Sequence, residues 1–264
     1  GGVGYANATT AVAGEEAGTL ATESFMGTTV GSEWTLLNDA CLTAGGDLGC
    51  EAKGKANGDR GIYGQSNGLL QLTGDENSTT GGAVFNHQLD TSLGLDVTFY
   101  QYQTKGSEAD GIGFFLADGN QNLTTTGASG AGLGYANTRG DGNPHDGLSE
   151  GVLGLGLDVY GNFANDQYWV GGSDCTKYLS DQTPNSVVLR GAGNGSTGYC
   201  KVTDAVTYNG LTTTTAPLVG NSYKEGTDGV KVRIIISPQQ TKDDGTVTEY
   251  SKVTVIVGDT TIYD

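Results

Sequence analysis

The sequence predicts an all-β fold, a sandwich or jelly roll, on three observations: a glycine-rich composition, period-two apolar alternation and frequent tight-turn dipeptides. Of 264 residues only 36% are hydrophobic, and 46 are glycine. That balance suits many short strands joined by turns and does not suit a helical bundle. Leu95, Val97 and Phe99 alternate with Asp96, Thr98 and Tyr100. Val230, Val232, Ile234 and Ile236 alternate with Lys231, Arg233 and Ile235, and Val253, Val255 and Val257 repeat the pattern. Such alternation puts one face of a strand on a core. Between the runs stand Asn57-Gly58, Asn67-Gly68, Asp118-Gly119, Asn209-Gly210, Asp228-Gly229 and Asp244-Gly245. These dipeptides tolerate positive φ and mark tight turns. No segment beyond about ten residues carries a helical repeat.

All-β sandwiches of this length commonly form one domain. We assign residues 23–264 to that domain and 1–22 to a Gly/Ala/Thr-rich N-terminal segment without periodicity. Two further stretches read as loose, 119–151 and 203–229, and long loops in a compact sandwich are usually functional or mobile.

Thirty acidic residues against 13 basic ones give a net charge of −17. That surface repels phosphate backbones and anionic membranes, which argues against a nucleic-acid partner. It serves solubility, and some of its carboxylates suit a hard cation such as Ca²⁺, which takes oxygen ligands. Cys41, Cys50, Cys175 and Cys200 form no C-x-x-C pair, and His87 and His145 are the only histidines, so a zinc cluster lacks its ligands. Four cysteines allow three connectivities; the local spacing favours Cys41–Cys50 and Cys175–Cys200. Disulfides would place the protein outside the cytosol, secreted or at the cell surface. No apolar stretch approaches the roughly 20 residues of a membrane span. With neither an initiator Met nor a signal peptide, the chain reads as a mature or excised form.

Two segments carry the chemistry. Ala109-Asp110-Gly111-Ile112-Gly113-Phe114-Phe115-Leu116-Ala117 is a buried-strand pattern that begins on a carboxylate between small residues. Leu153-Gly154-Leu155-Gly156-Leu157-Asp158-Val159-Tyr160-Gly161-Asn162 ends a strand on alternating polar groups, and Asp166 follows. Two carboxylates, a carbonyl and an amide oxygen offer four of the six to eight oxygens that Ca²⁺ takes, with water supplying the rest.

With Gly130-Ala131-Gly132-Leu133-Gly134 between them, these segments resemble the L-type (legume-type) lectin family, especially its bacterial extracellular members. Trp34 to Thr43, Leu69 to Thr73, Ser186 to Gly191 and the late valine strand resemble its flanking strands, so the likeness covers roughly residues 24 to 263. It implies a jelly-roll β-sandwich of the concanavalin A type that binds a glycan with calcium. Asp110 would be the sugar-contacting carboxylate, preceded by a cis Ala109–Asp110 peptide. Backbone N–H groups of Gly130, Ala131 and Gly132 would donate to sugar hydroxyls. Asn162 would give its amide oxygen to calcium and its N–H to the sugar, and Tyr160 its ring to the sugar and its carbonyl to the metal. Asp158 and Asp166 would complete the calcium ligands. The family's second, transition-metal site usually draws on a Glu where this chain has Gly156, so calcium alone is expected.

Rival readings find less support. Glu108-Ala109-Asp110 begins the E-x-D-x-x-E strand motif of some jelly-roll glycosidases, but Gly113 stands where the second Glu belongs. Neither His lies near a nucleophile in the manner of a triad, and the chain is read as non-enzymatic. Arg139-Gly140-Asp141 is a string of the kind that arises by chance in Gly/Asp-rich loops, and Asn7, Asn77, Asn122 and Asn194 are sequons. Trp34 and Trp169 read as core residues. Family members close the sandwich with a G-F-x-A-S-T-G strand beyond the point that Asp264 reaches, and Gly2-Val3-Gly4-Tyr5-Ala6-Asn7-Ala8-Thr9-Thr10 resembles it. That segment would fill its own domain's slot as a permuted strand or a neighbour's as a donated one, the alternative being a Gly-rich disordered leader with no such role. Head-to-tail donation would make a homo-oligomer or filament, the structural alternative to a glycan-binding adhesin.

Overall fold

The computed structural model describes residues 6–9, 19–55, 68–74, 76–103, 109–140, 142–167, 170–212, 229–238, 241–247 and 252–264. The Asn57-Gly58 turn, Glu108, Asp141, Trp169 and the Thr213–Thr215 run lie outside them. In chain order the strands are β1 (Ala6–Thr9), β2 (Thr19–Glu23), β3 (Trp34–Asn38), β4 (Cys41–Leu42), β5 (Leu70–Gln71) and β6 (Gly81–Phe85). Next come β7 (Leu95–Gln101), β8 (Gly111–Ala117), β9 (Gly151–Asp158), β10 (Ser186–Arg190), β11 (Gly193–Asn194) and β12 (Thr197–Gly198). The last are β13 (Val206–Thr207), β14 (Val230–Ile236), β15 (Val253–Val257) and β16 (Thr260–Tyr263). Two single-turn 3₁₀ segments, Gly130–Gly132 and Asn162–Ala164, are the only helical elements among the described residues. The fold is all-β, as the composition predicts, and all its strand ladders are antiparallel.

One sheet runs β16-β15-β14-β7-β1-β2. A second is centred on β9, with β10 on one side and β8 on the other. The two sheets share one apolar cluster. Leu153, Leu155 and Leu157 of β9 and Val187 and Leu189 of β10 meet Val232 and Ile234 of β14 and Val255 and Val257 of β15. These are the alternating positions of the sequence, and facing sheets interdigitate in this way. Leu95 and Val97 of β7 are buried as well, while Asp96 outside accepts a bidentate pair of hydrogen bonds from Arg233.

β9 explains its own Leu-Gly-Leu-Gly-Leu pattern. Its leucines face the core between the two sheets, and its glycines face the opposite side, where rings from the loops flanking β9 press on the backbone. A Cβ on Gly154 would sit 2.1 Å from Tyr135 Cδ2, and one on Gly156 would sit 2.2 Å from Phe163 Cδ1. Only glycine permits so close an approach. The 119–151 stretch, expected to be loose, therefore folds as a lid over β9. Leu123, Tyr135, Ala136 and Leu148 are buried there with Phe163 and Tyr199 in a second cluster. Tyr135 Oη donates to Gly191 O at 2.8 Å, and Tyr199 Oη to Leu148 O at 2.5 Å.

Cys41–Cys50 and Cys175–Cys200 are both bonded, the connectivity that the spacing favours. Trp34 packs edge-on against Phe25 and Phe85, a core role. No helix among the described residues is long and apolar enough to cross a membrane. Ala6–Thr9 pairs with β2 and β7 of its own chain, so this part of the N-terminal segment joins its own sheet.

Candidate functional site

The β8–β9 ladder sets the site. Gly111 pairs with Asp158, and Asp110 O accepts a hydrogen bond from Tyr160 N at 2.9 Å, so the start of β8 lies beside the end of β9. The Ala109–Asp110 peptide is cis, as the resemblance implies. The Asp110 carboxylate is half-buried and accepts no hydrogen bond from a described residue. Burial raises its pKa above the usual carboxylate value.

The Gly130–Gly132 turn closes over this carboxylate, and a Cβ on Gly130 would lie 3.8 Å from Asp110 Oδ2. Gly130 itself takes φ +62, a conformation that favours glycine. Its N–H and that of Ala131 have no partner among the described residues. Gly132, expected as a third donor, gives its N–H to Ser129 O at 3.4 Å, because the 3₁₀ turn closes on itself there. The turn packs against Asn162–Ala164. Asn162 is part-exposed, and its Nδ2 donates to no described residue. Tyr160 is 43% exposed. Asp110, Gly130, Ala131, Tyr160 and Asn162 are thus gathered at one end of the β8–β9 pair.

The oxygens assigned to calcium are already committed within the chain. Asp158 is 1% exposed; its Oδ1 accepts from Gly161 N at 2.9 Å and its Oδ2 from Phe163 N at 2.8 Å. Burial pushes its pKa up to about 7, against the pull of those two amides, and nearby Asp110 adds to the rise. Tyr160 O accepts from Gln182 Nε2 at 2.8 Å, and Asn162 Oδ1 from Asn165 Nδ2 at 3.3 Å. Asp166 faces two cations: Arg190 Nη2 lies 2.8 Å from Oδ1, and Lys201 Nζ 2.8 Å from Oδ2. The second contact is an ion pair not aligned as a hydrogen bond. All three side chains are at most 1% exposed. Burial pushes Arg190 and Lys201 down from their ordinary pKa values, and Asp166 pulls both back up. A divalent ion placed on Asp166 would therefore meet two buried positive charges, and the donor set does not fit calcium as the resemblance implies.

The space beside Gly156 is filled as well. Phe163 lies against the Cα of Gly156, and Arg190 Cζ stands 5.1 Å from the Phe163 ring centre. Asp174, Cys175 and Cys200 are the one close cluster of metal-ligand residue types among the described residues, and its two cysteines are disulfide-bonded to each other.

Sequence reasoning passed over Arg190, Lys201 and Phe163. The one available signal was a lone cation closing the apolar run Ser186-Val187-Val188-Leu189-Arg190, since a charge on a strand of that pattern needs a buried partner.

A cleft of about 1580 Å³ adjoins the site. Residues of β6 and β8 line it, and so do Asp110 and Gly130. Among the described residues β6 pairs only with β3, and β8 only with β9. Six of the seven residues of β8 are only part-buried, although Gly-Ile-Gly-Phe-Phe-Leu-Ala is apolar on both faces.

In comparisons with protein-family models, curated proteins and solved structures, the chain matches none.

Proposed function

We propose that this chain binds a carbohydrate at the Asp110 end of β8, as a lectin-like jelly-roll domain working outside the cell. The observation that carries the reading is a half-buried carboxylate that accepts no hydrogen bond from a described residue and lies beside the Gly130 turn, whose Gly130 and Ala131 N–H groups, like Asn162 Nδ2, have no partner among the described residues. A sugar offers vicinal hydroxyls that both donate and accept. Asp110 accepts from them, the Gly130 and Ala131 amides and Asn162 Nδ2 donate, and the exposed Tyr160 ring covers an apolar pyranose face. The two disulfides suit an oxidising compartment. Binding rather than hydrolysis is favoured because Asp158, the second carboxylate, is sealed under backbone amides and reaches no substrate.

Single lectin sites are often weak, so the test is a glycan array probed with the protein displayed in multivalent form. Binding to a defined glycan class that is lost in Asp110→Asn, with unchanged thermal melting, supports the reading. No glycan bound by the multivalent wild type, or equal binding by the variant, overturns it.

The cleft between β6 and β8 favours a second reading. Two facing strand edges without a partner among the described residues, above part-exposed apolar side chains, would accept an added β-strand. The volume exceeds the roughly 300–1,000 Å³ of a small-molecule pocket. On this reading the domain is a subunit of a surface assembly joined by strand addition. Because Ala6–Thr9 pairs within its own sheet, the added strand comes from elsewhere. Sedimentation across a wide concentration range tests it: a mass that never rises above the monomer removes self-assembly.

A further inference from the structure

Three cationic side chains converge on the segment that carries Tyr160 and Asn162. Arg190 Nε and Nη2 donate to Phe163 O at 2.9 and 2.6 Å, and Nη1 donates to Tyr199 O at 2.6 Å. Lys201 Nζ donates to Ala164 O at 2.8 Å and to Ser180 Oγ at 2.6 Å. Arg139 Nη2 donates to Asp166 O at 2.8 Å, and its Nε to Gly171 O at 3.0 Å. The carbonyls of residues 163, 164 and 166 and both oxygens of the Asp166 carboxylate thus all face protein cations. Carbonyl and carboxylate oxygens gathered in this way are what a calcium ion would collect.

We propose that Arg190 and Lys201 are positioning residues that hold the 158–166 loop in place of a divalent cation, so that the ligand site is organised without metal. Two fixed charges on β10 and at Lys201 do what an ion would do: they neutralise Asp166 and tie the loop carbonyls to the sheet. Unlike an ion they do not dissociate, and the loop is preorganised whatever the calcium concentration. The Phe163 ring adds steric exclusion, because it occupies the space that a side chain at position 156 would need. Asp158 completes the arrangement by capping Gly161 and Phe163 N–H, which fixes the turn from inside.

The inference rests on the proposed ligand site only for the importance of this loop, and its test uses no sugar, so the two fail separately. Amide hydrogen exchange of the wild type is followed over residues 159–166 in EDTA and in millimolar CaCl₂. Unchanged loop protection and an unchanged melting temperature are expected; protection that rises with calcium overturns the proposal. Lys201→Met is compared with the conservative Lys201→Arg under the same conditions. Loop exchange is expected to rise about tenfold or more in Lys201→Met, with β14 and β15 unaffected, and to return within about twofold of wild type in Lys201→Arg. A folded Lys201→Met with wild-type loop exchange overturns the positioning role. If Lys201→Met does not fold, the wild-type calcium comparison decides.

Discussion

Replacing Asp166 by Asn keeps the shape of the side chain and removes its charge from between Arg190 and Lys201. The two ion-pair contacts are both 2.8 Å, and all three groups are at most 1% exposed. Removing one member of a buried pair leaves an uncompensated charge, at a cost of about 3–5 kcal/mol. Here two cations lose one shared anion, so the upper half of that range is expected. At about 2–4 °C per kcal/mol for a domain of this size, the melting temperature falls by roughly 8–20 °C. Urea unfolding monitored by fluorescence and circular dichroism measures the loss directly, with an unchanged m-value showing that both end states are preserved. Lys252–Asp264 is the control, an ion pair of 2.7 Å whose side chains are about 60% exposed. Lys252→Ala should leave stability unchanged within error, because water screens such a pair. A loss under about 1 kcal/mol in Asp166→Asn, the range of an exposed pair, would refute the reasoning that this triad is a buried electrostatic centre.

Gly156→Ala should destabilise the fold by about 1–3 kcal/mol or more, since its Cβ would stand 2.2 Å from the buried Phe163 ring. Pairing it with Phe163→Leu should recover part of that loss, and a double-mutant cycle measured by urea unfolding gives the coupling. Replacing both Cys175 and Cys200 by Ala opens a loop spanning 25 residues, against 9 for Cys41 and Cys50. Loop-closure entropy gives about 3.5 and about 2.6 kcal/mol, so the 175–200 pair should be the costlier to lose by chemical denaturation.

What was legible in the sequence is what local periodicity encodes. The apolar alternations of β7, β14 and β15 fall on the core side where they were expected, because a strand's two faces are set by parity alone. The disulfides were legible because each closes locally. Leu-Gly-Leu-Gly-Leu was read correctly on its leucine face only. The meaning of Gly154 and Gly156 lies in Tyr135 and Phe163, which arrive from loops whose packing no local pattern announces. For the same reason the 119–151 lid looked like an open loop. Asp110, the Gly130–Gly132 turn and Asn162 were grouped by resemblance, and the β8–β9 register brings them together. The calcium ligands illustrate the opposite case. Asp158 and Asp166 have the right chemistry and spacing, but the cations that engage Asp166 are contributed by residues 24 and 35 positions further along the chain. Asp166 was thus legible as a carboxylate and illegible as a salt-bridge partner. The facing edges of β6 and β8 were equally out of reach, since pairing partners are set by tertiary topology.

The most direct test of the central claim is a ¹H–¹⁵N correlation spectrum of the protein titrated with the strongest glycan from the array. The account expects saturable shift changes centred on Asp110, Gly130, Ala131, Tyr160 and the Asn162 side-chain amide, of equal size in EDTA and in calcium. Shift changes confined to the β6 and β8 strands of the cleft, or scattered over the surface without saturation, would contradict it.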